Sequence, residues 1–456
     1  MHAFAFICLA AAAPHAWGLL DARARRRGRE AGKNRRLSDD FSERVKMAAS
    51  DAAAGDKFGY SVAIDGDTVV IGAPYAGSWS GSVYVLRASD GAELAKLTAS
   101  DAAAGDLFGS SVAIDGSTIV VGATNDDDAG SNSGSVYVFE KSTWGTYDQV
   151  AKLTASDAAA NDLFGSSVAI DGATIVIGAS SAGTGGAVYV FRTTDGGATY
   201  VEVAKLTADD AAAIDQFGIS VAIAGDTIVV GVDGDDDGGS ASGSAYVFRT
   251  TDGATYVEVA KLTADDAASI DQFGGSVAID GNTIVVGADQ YYSSGSGSAY
   301  VFLTTDDGTT YVEVAKLTAS DAASNDYFGR SVAIDGNTIV VGADGDDDAG
   351  SKSGSAYVFR TSDSGASYDQ VAKLTAADAA ASDQFGGSVA IAGGTIVVGA
   401  YGDDDAGTYS NSGSVYVFED ESSWWDYFSS DAAATRRLPS ATILTAAAAV
   451  LAAILA

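Results

Sequence analysis

The 456 residues carry 26 Lys/Arg against 61 Asp/Glu, 47% hydrophobic side chains, 55 Gly and 3 Pro. That much apolar content excludes a disordered chain, and the acidity excludes a phosphate-binding surface, so no nucleic-acid partner is expected. Eight basic residues precede Ser38 and two follow Ser430; between them, residues 38–430 hold 16 basic and 58 acidic side chains, a net of −42, which attracts cations and basic partners.

The chain opens on an apolar run, Ala3 to Ala13, closed by Pro14 and small residues. It has the length of a secretory h-region and is too short to span a bilayer, so residues 1–18 are expected to be a signal peptide. Residues 19–42 follow as a basic pro-segment or linker, with Arg23, Arg25, Arg26 and Arg27 together. The one cysteine, Cys8, and both histidines, His2 and His15, fall in the signal segment. A processed chain then lacks disulfides, thiol chemistry and imidazole.

From residue 43 to 420 the chain repeats itself. Phe-Gly recurs at Phe58, Phe108, Phe164, Phe217, Phe273, Phe328 and Phe385. Each copy continues with a Ser-Val-Ala-Ile strand (A), an Asp-Gly turn, a Thr-Ile-Val-Val-Gly strand (B), a variable loop, a Ser-Ala-Tyr-Val-Phe strand (C), a second turn and a Val-Ala-Lys-Leu strand (D). β-Branched alternation makes these strands, and Asp-Gly pairs make the A–B connections tight hairpins. Four short strands per copy, seven times over, predict an all-β seven-bladed β-propeller of four-stranded antiparallel blades. The seventh copy lacks its own strand D, and a matching Val45-Lys46-Met47 precedes the first. The N-terminal strand is therefore expected to complete the last blade and close the ring. Along strand D, simple alternation puts Val201, Val203 and Lys205 on one face and Glu202, Ala204 and Leu206 on the other.

Strand parity places the B–C and D–A connections on one face of the ring and the tight turns on the other. The first face is where function is expected. Blade four spells Asp233-x-Asp235-x-Asp237-Gly there, and blade six repeats the spacing with Asp344, Asp346 and Asp348. Alternate carboxylates in a bent loop supply about three of the 6–8 oxygens that calcium wants, so calcium is a candidate cofactor, with Asp210 and Asp215 as completing ligands. The competing reading is a solvated acidic turn. The Asp repeated in each D–A loop (Asp101, Asp157, Asp266, Asp321) is read as a turn cap, and each Phe-Gly as a core wedge. The unrepeated aromatics Tyr75, Trp79, Tyr291, Tyr292, Tyr401 and Tyr409 are candidate anchors for an extracellular protein or carbohydrate ligand.

Residues 421–440 form a polar linker whose Ser429 and Ser430 are candidate sites for a GPI anchor, ahead of a hydrophobic tail over 441–456. The expected location is the extracellular face of the plasma membrane.

The Phe58-Gly59 and Gly72-Ala73-Pro74 spacing, copied seven times, resembles the FG-GAP repeat of integrin α-chain propellers and of microbial surface proteins. The resemblance implies extracellular ligand binding, often with calcium in the A–B hairpin. The A–B turns here, such as Asp65-Gly66-Asp67-Thr68, are too short to wrap an ion. Without His or Cys the chain has no triad and no His-ligated metal, so it is not expected to be an enzyme. A carboxylate-pair polysaccharide hydrolase needs one singular pair, whereas these acids follow the repeat. The expectation is a binding or adhesion module; a structural surface coat without specific ligand is the alternative.

Overall fold

The computed structural model describes residues 41–404 and 410–420. Twenty-eight strands form seven four-stranded antiparallel sheets. In blade one, A is Ser61–Asp65, B Thr68–Ala73, C Ser82–Arg87 and D Glu93–Leu97. Blades two to six repeat that order. Blade seven takes A, B and C from Phe385–Ala392, Thr395–Ala400 and Ser414–Asp420, and its outer strand is Phe41–Met47 from the other end of the described chain. Val45 and Met47 stand opposite Val417 and Val415. The ring is closed by the strand that the missing seventh copy of D had implied.

The core lies between blades rather than within them. One cluster joins Val176, Val190 and Leu206 of blade three to Phe217, Ile228 and Tyr246 of blade four. Phe217 is fully buried, with Tyr246 and Phe248 of its own blade at 5.6 and 6.0 Å. Removing such a wedge costs about 3–5 kcal/mol. Close approach is the reason for glycine here. A Cβ on Gly231 would meet the Gly274 carbonyl oxygen of the next blade at 2.0 Å.

The same seam is stitched by one hydroxyl per blade. Strand A Ser donates to the carbonyl of the next blade's Phe-Gly glycine at 2.8–2.9 Å at all seven seams, from Ser61 to Gly109 round to Ser388 and Gly59. On the tight-turn face, five blades add a second clasp in which the A–B turn carboxylate accepts from the next blade's turn glycine, as in Asp115 with Gly172 N–H at 2.6 Å. Blades four and seven carry Ala224 and Ala392 at that position.

Strand D departs from simple alternation. Val190 faces Ala204 but Phe191 faces Glu202, so Val203 is the extra residue of a bulge. The irregularity recurs in every blade. Val201, Val203 and Lys205 therefore do not share a face; Val201 is 62% exposed at the rim, and the bulge re-aims the strand so that Lys205 reaches the loops.

Candidate functional site

Each blade builds one polar clasp where strands C and D meet the loop face. The strand C tyrosine and the strand D lysine reach the same Asp at the start of the preceding D–A loop. In blade three Tyr189 donates to Asp157 at 2.8 Å and Lys205 pairs with it at 2.6 Å. Blades one and five repeat this through Tyr84, Lys96 and Asp51, and through Tyr300, Lys316 and Asp266. The hydrogen bond from Lys205, then that from Tyr189, holds Asp157 below the usual carboxylate range. Burial, reinforced by Asp157, pushes the Tyr189 hydroxyl up to about 12.

The Asp of this clasp is therefore an ion-pair partner and not the turn cap that its repetition suggested. Capping falls to a second Asp five residues on: Asp106 Oδ2 accepts from Ala103 N–H at 2.7 Å, and Asp162 and Asp326 do the same to Ala159 and Ala323.

In blades two, four and six the Asp-Asp-Asp loop folds back onto the clasp. Lys261 then meets three carboxylates, Asp210 at 2.7 Å, Asp235 at 2.8 Å and Asp237 at 2.6 Å. Asp101, Asp126 and Asp128 surround Lys152, and Asp321, Asp346 and Asp348 surround Lys373. Asp235 is 4% exposed and also accepts from Ser244 Oγ and the Asp237 backbone N–H. Burial raises its pKa, but the Lys261 and backbone hydrogen bonds outweigh that and leave it lowered. In blade seven, Lys46 pairs with Asp378 and Asp403.

In these three triads, three carboxylates each bring an oxygen within 4.8 Å of the other two. The donors do not fit calcium while the lysine stays, because its ammonium already stands 2.6–2.8 Å from each of the three oxygens in blade four and fewer than the 6–8 oxygens of a calcium shell converge. The Asp-x-Asp-x-Asp spacing also splits in space. Asp235 and Asp237 join Asp210, whereas Asp233 turns toward Asp289 and Arg330; in blade six Asp346 and Asp348 join Asp321 and Asp344 turns away. Asp215, the other candidate ligand, caps Ala212 N–H at 2.6 Å.

Asp233 and Asp344 belong to a different constellation, at the lip of the channel. The residue following strand B is Pro74, Thr124, Ser180, Asp233, Asp289, Asp344 and Tyr401 in blades one to seven. The residue following Phe-Gly is Tyr60, Ser110, Ser166, Ile219, Gly275, Arg330 and Gly387, and these line the channel mouth. The ring is thus uneven. Blades five, six, seven and one carry Arg330 and every described loop-face aromatic outside the Phe-Gly pairs; blades two and three carry small hydroxyl residues.

Along this arc Arg330 pairs with Asp289 at 3.1 Å and stands over Tyr291 at 5.4 Å. Tyr291 contacts Tyr292 and Tyr327 at 5.2 and 4.8 Å. Tyr401 receives a hydrogen bond from Gln384 at 2.6 Å and donates to Asp344 at 3.3 Å. Its ring continues through Tyr60 and Tyr75 to Trp79 at centroid spacings of 5.7–6.0 Å. Trp79 and Tyr292 are 59% and 75% exposed. Ser78 and Trp79 hold left-handed backbone, at φ +64° and +69°, a conformation costing roughly 1–2 kcal/mol for each non-glycine residue. Burial, with Asp289 adding to it, pushes Asp233 up to about 6. Asp344 is raised by burial against the opposing pull of Arg330.

Five of the six sequence-nominated aromatics thus fall on the arc, and Tyr409 lies outside the described residues, as do Ser429 and Ser430. Sequence reasoning passed over Arg330, Tyr60, Tyr327, Asp289, Lys57 and Lys352. Comparing the seven copies column by column at the two channel positions carries the signal for Arg330, Tyr60 and Asp289, because those columns vary while their neighbours repeat.

The FG-GAP repeat family matches at residues 41–86, 88–139, 147–191, 200–248, 256–302, 311–359 and 368–418, one stretch per blade. Comparison with curated proteins gives no match. Seven matched repeats on seven blades make this chain a member of the FG-GAP repeat family, folded as an integrin-like seven-bladed propeller.

Proposed function

We propose that the protein is a non-enzymatic binding module of the cell surface, exported by its N-terminal segment, held by a C-terminal GPI anchor, and engaging an extracellular ligand with the loop face over blades five, six, seven and one. The observation that carries this reading is the asymmetry of the ring. The clasps, wedges and seams recur around it, as a scaffold requires, while the exposed aromatics of the loop face and the channel arginine gather on one arc. Exposed Trp and Tyr held by neighbouring rings lose little side-chain entropy on contact and make efficient anchors. Calcium has no part in the proposal, since a lysine ammonium occupies the centre of each triad that could hold it.

Cells expressing the full chain test both halves. Phosphatidylinositol-specific phospholipase C should release it into the medium; retention on the membrane overturns the anchor. Adhesion of those cells to a ligand-bearing surface should fall on Trp79→Ala or Tyr292→Ala and stay unchanged on Trp144→Ala, an exposed tryptophan on the tight-turn face. Equal adhesion by all three variants overturns the loop-face assignment.

A further inference from the structure

One seam on the tight-turn face differs from the other six. Two positions meet there: the residue that follows the last aromatic or Leu of strand C, and the third residue of the next blade's A–B turn. Around the ring they hold Arg87 with Ser117, Glu140 with Ala173, Arg249 with Asn282, Leu303 with Asn337, Arg360 with Gly394 and Glu419 with Asp67. Between blades three and four they hold Arg192 and Asp226, an opposite-charge couple found at no other seam. These two line one cavity of about 340 Å³.

Neither charge is answered within the ring. Arg44, Arg87, Arg249, Arg330 and Arg360 each pair with a carboxylate, whereas Arg192 has no such partner among the described residues, and its Nε is enclosed without an acceptor. Asp67, the blade-one counterpart of Asp226, accepts from Ser89 N–H and Oγ at 2.8 and 3.0 Å. The exposed carboxylate of Asp226 has neither donor nor cation among the described residues. Turn length is the cause for the arginine. The C–D turn of blade four, residues 250–256, is one residue shorter than residues 304–311 of blade five, where the Asp307 carbonyl accepts from Arg249. Lacking that residue, the Arg192 guanidinium lies against Gly253, where a Cβ would collide with Nη1.

The cavity suits a small ligand that carries both charges. Its volume stands at the low end of the roughly 300–1,000 Å³ of small-molecule sites. Tyr256 also lines it; burial raises this hydroxyl, while Arg192 pulls it down and Asp226 and Asp252 push it up, so both signs of charge surround one phenol. Asp171 and Asp252 complete the wall but already accept from backbone, Asp171 from Gly225 N–H and Asp252 from Ala254 and Thr255 N–H. A simple anion would meet three carboxylates, and a simple cation would leave Arg192 unanswered. A second cavity of about 270 Å³, walled by Val201, Thr199 and Ala254, shares Arg192 and Gly253 with the first.

We propose that the seam of blades three and four binds a zwitterionic α-amino acid with an apolar side chain, its carboxylate on the Arg192 guanidinium, its ammonium on Asp226 and its side chain in the cavity beside Val201. Charge-assisted pairs at both ends fix such a ligand in one orientation, and burial of its side chain selects apolar members of the class. The site faces away from the aromatic arc and is independent of the adhesion reading.

Equilibrium dialysis of the detergent-solubilised full chain against radiolabelled L-leucine tests it. One leucine should bind per chain, with L-valine and L-methionine competing and L-aspartate and L-lysine failing to compete. N-acetyl-leucine, which keeps the carboxylate alone, and leucinamide, which keeps the ammonium alone, should each compete about tenfold more weakly than leucine. Arg192→Met and Asp226→Asn should each weaken leucine binding about tenfold without lowering the melting temperature, because neither side chain leaves a partner behind. Inserting an aspartate between Asp252 and Gly253, which recreates the blade-five turn, should give Arg192 an internal partner and abolish binding. Arg87→Met, at the seam of blades one and two, should leave binding unchanged. No leucine bound at millimolar concentration, N-acetyl-leucine or leucinamide competing as well as leucine, or binding indifferent to Arg192→Met and Asp226→Asn overturns the assignment.

Discussion

Blades one, three and five and blades two, four and six solve one problem with different numbers of charges. In the first set the strand D lysine meets a single aspartate, as Lys205 meets Asp157, and the clasp is electrically balanced. In the second set the B–C loop adds two more, so Lys261 answers three carboxylates and the clasp is left with a formal surplus of two negative charges. Backbone pairing is the same in both. The additional acids are therefore not needed to form a blade. They tie a longer loop to a cation that the fold already supplies, and they make that lysine indispensable where it was merely helpful.

The largest expected effect breaks this contrast directly. Lys261→Met leaves the 4% exposed Asp235 beside two other carboxylates and should cost about 3–5 kcal/mol, as the loss of one partner from a buried pair does. Lys205→Met removes a partner from a half-exposed aspartate and should cost about 1 kcal/mol or less. Urea denaturation of the two variants measures the difference; equal midpoints would show that the even-blade triads are not coupled to the lysine.

Calcium sharpens the same comparison. With the ammonium gone, the blade-four triad offers calcium three carboxylates, and water completes the shell. Millimolar calcium should raise the melting temperature of Lys261→Met, by mass action on the folded state, while leaving the wild type and Lys205→Met unchanged at constant ionic strength. Stabilisation of the wild type by calcium but not magnesium would reverse the conclusion that lysine is the resident cation.

Acid titration separates the clasp carboxylates from those of the lip. Asp157 and Asp235 have lowered values in the fold, so their contribution is present above the unfolded value near 3.8 and disappears as the pH falls through the folded values. Asp233 is raised to about 6. Its protonated form suits the fold, so its contribution is complete below 3.8 and lost as the pH climbs through 6. Asp233→Asn should flatten the melting-temperature decline between pH 4 and 6 and leave the variant more stable than the wild type at pH 7. A decline identical in both proteins would refute the assignment.

The smallest effect comes from the tyrosines. Tyr189→Phe and Tyr137→Phe should each lose about 1 kcal/mol. The even-blade variant should fare no worse, because Asp126 keeps Lys152 and Ser135 as partners. A markedly larger loss for Tyr137→Phe would mean that the hydroxyl, rather than the lysine, organises the triad.

Much of the fold was legible because the repeat states it seven times. Phe-Gly wedges, Asp-Gly hairpins and the displaced closing strand depend on local turn chemistry and on one residue type per position, so composition and spacing suffice. Strand D misled because alternation carries no mark of a bulge at Val203; the extra residue is defined only by its partner strand. The D–A loop misled because two aspartates five residues apart share a composition, and what distinguishes Asp101 from Asp106 is that Lys152 and Tyr137 reach one of them across the blade.

By itself, then, the sequence determined the architecture, the ring closure and the placement of variable loops on one face, since strand parity and turn length follow from covalent geometry and backbone sterics. Tertiary structure alone decided that Asp233 and Asp344 leave their own triplets for the channel, that a lysine fills each triad, and that Arg330, Asp289 and Tyr401 meet at one lip. Those meetings join residues that span 112 positions, from Asp289 to Tyr401, on three successive blades, and they depend on how closed inner strands point around a common axis, a distance that no linear spacing encodes.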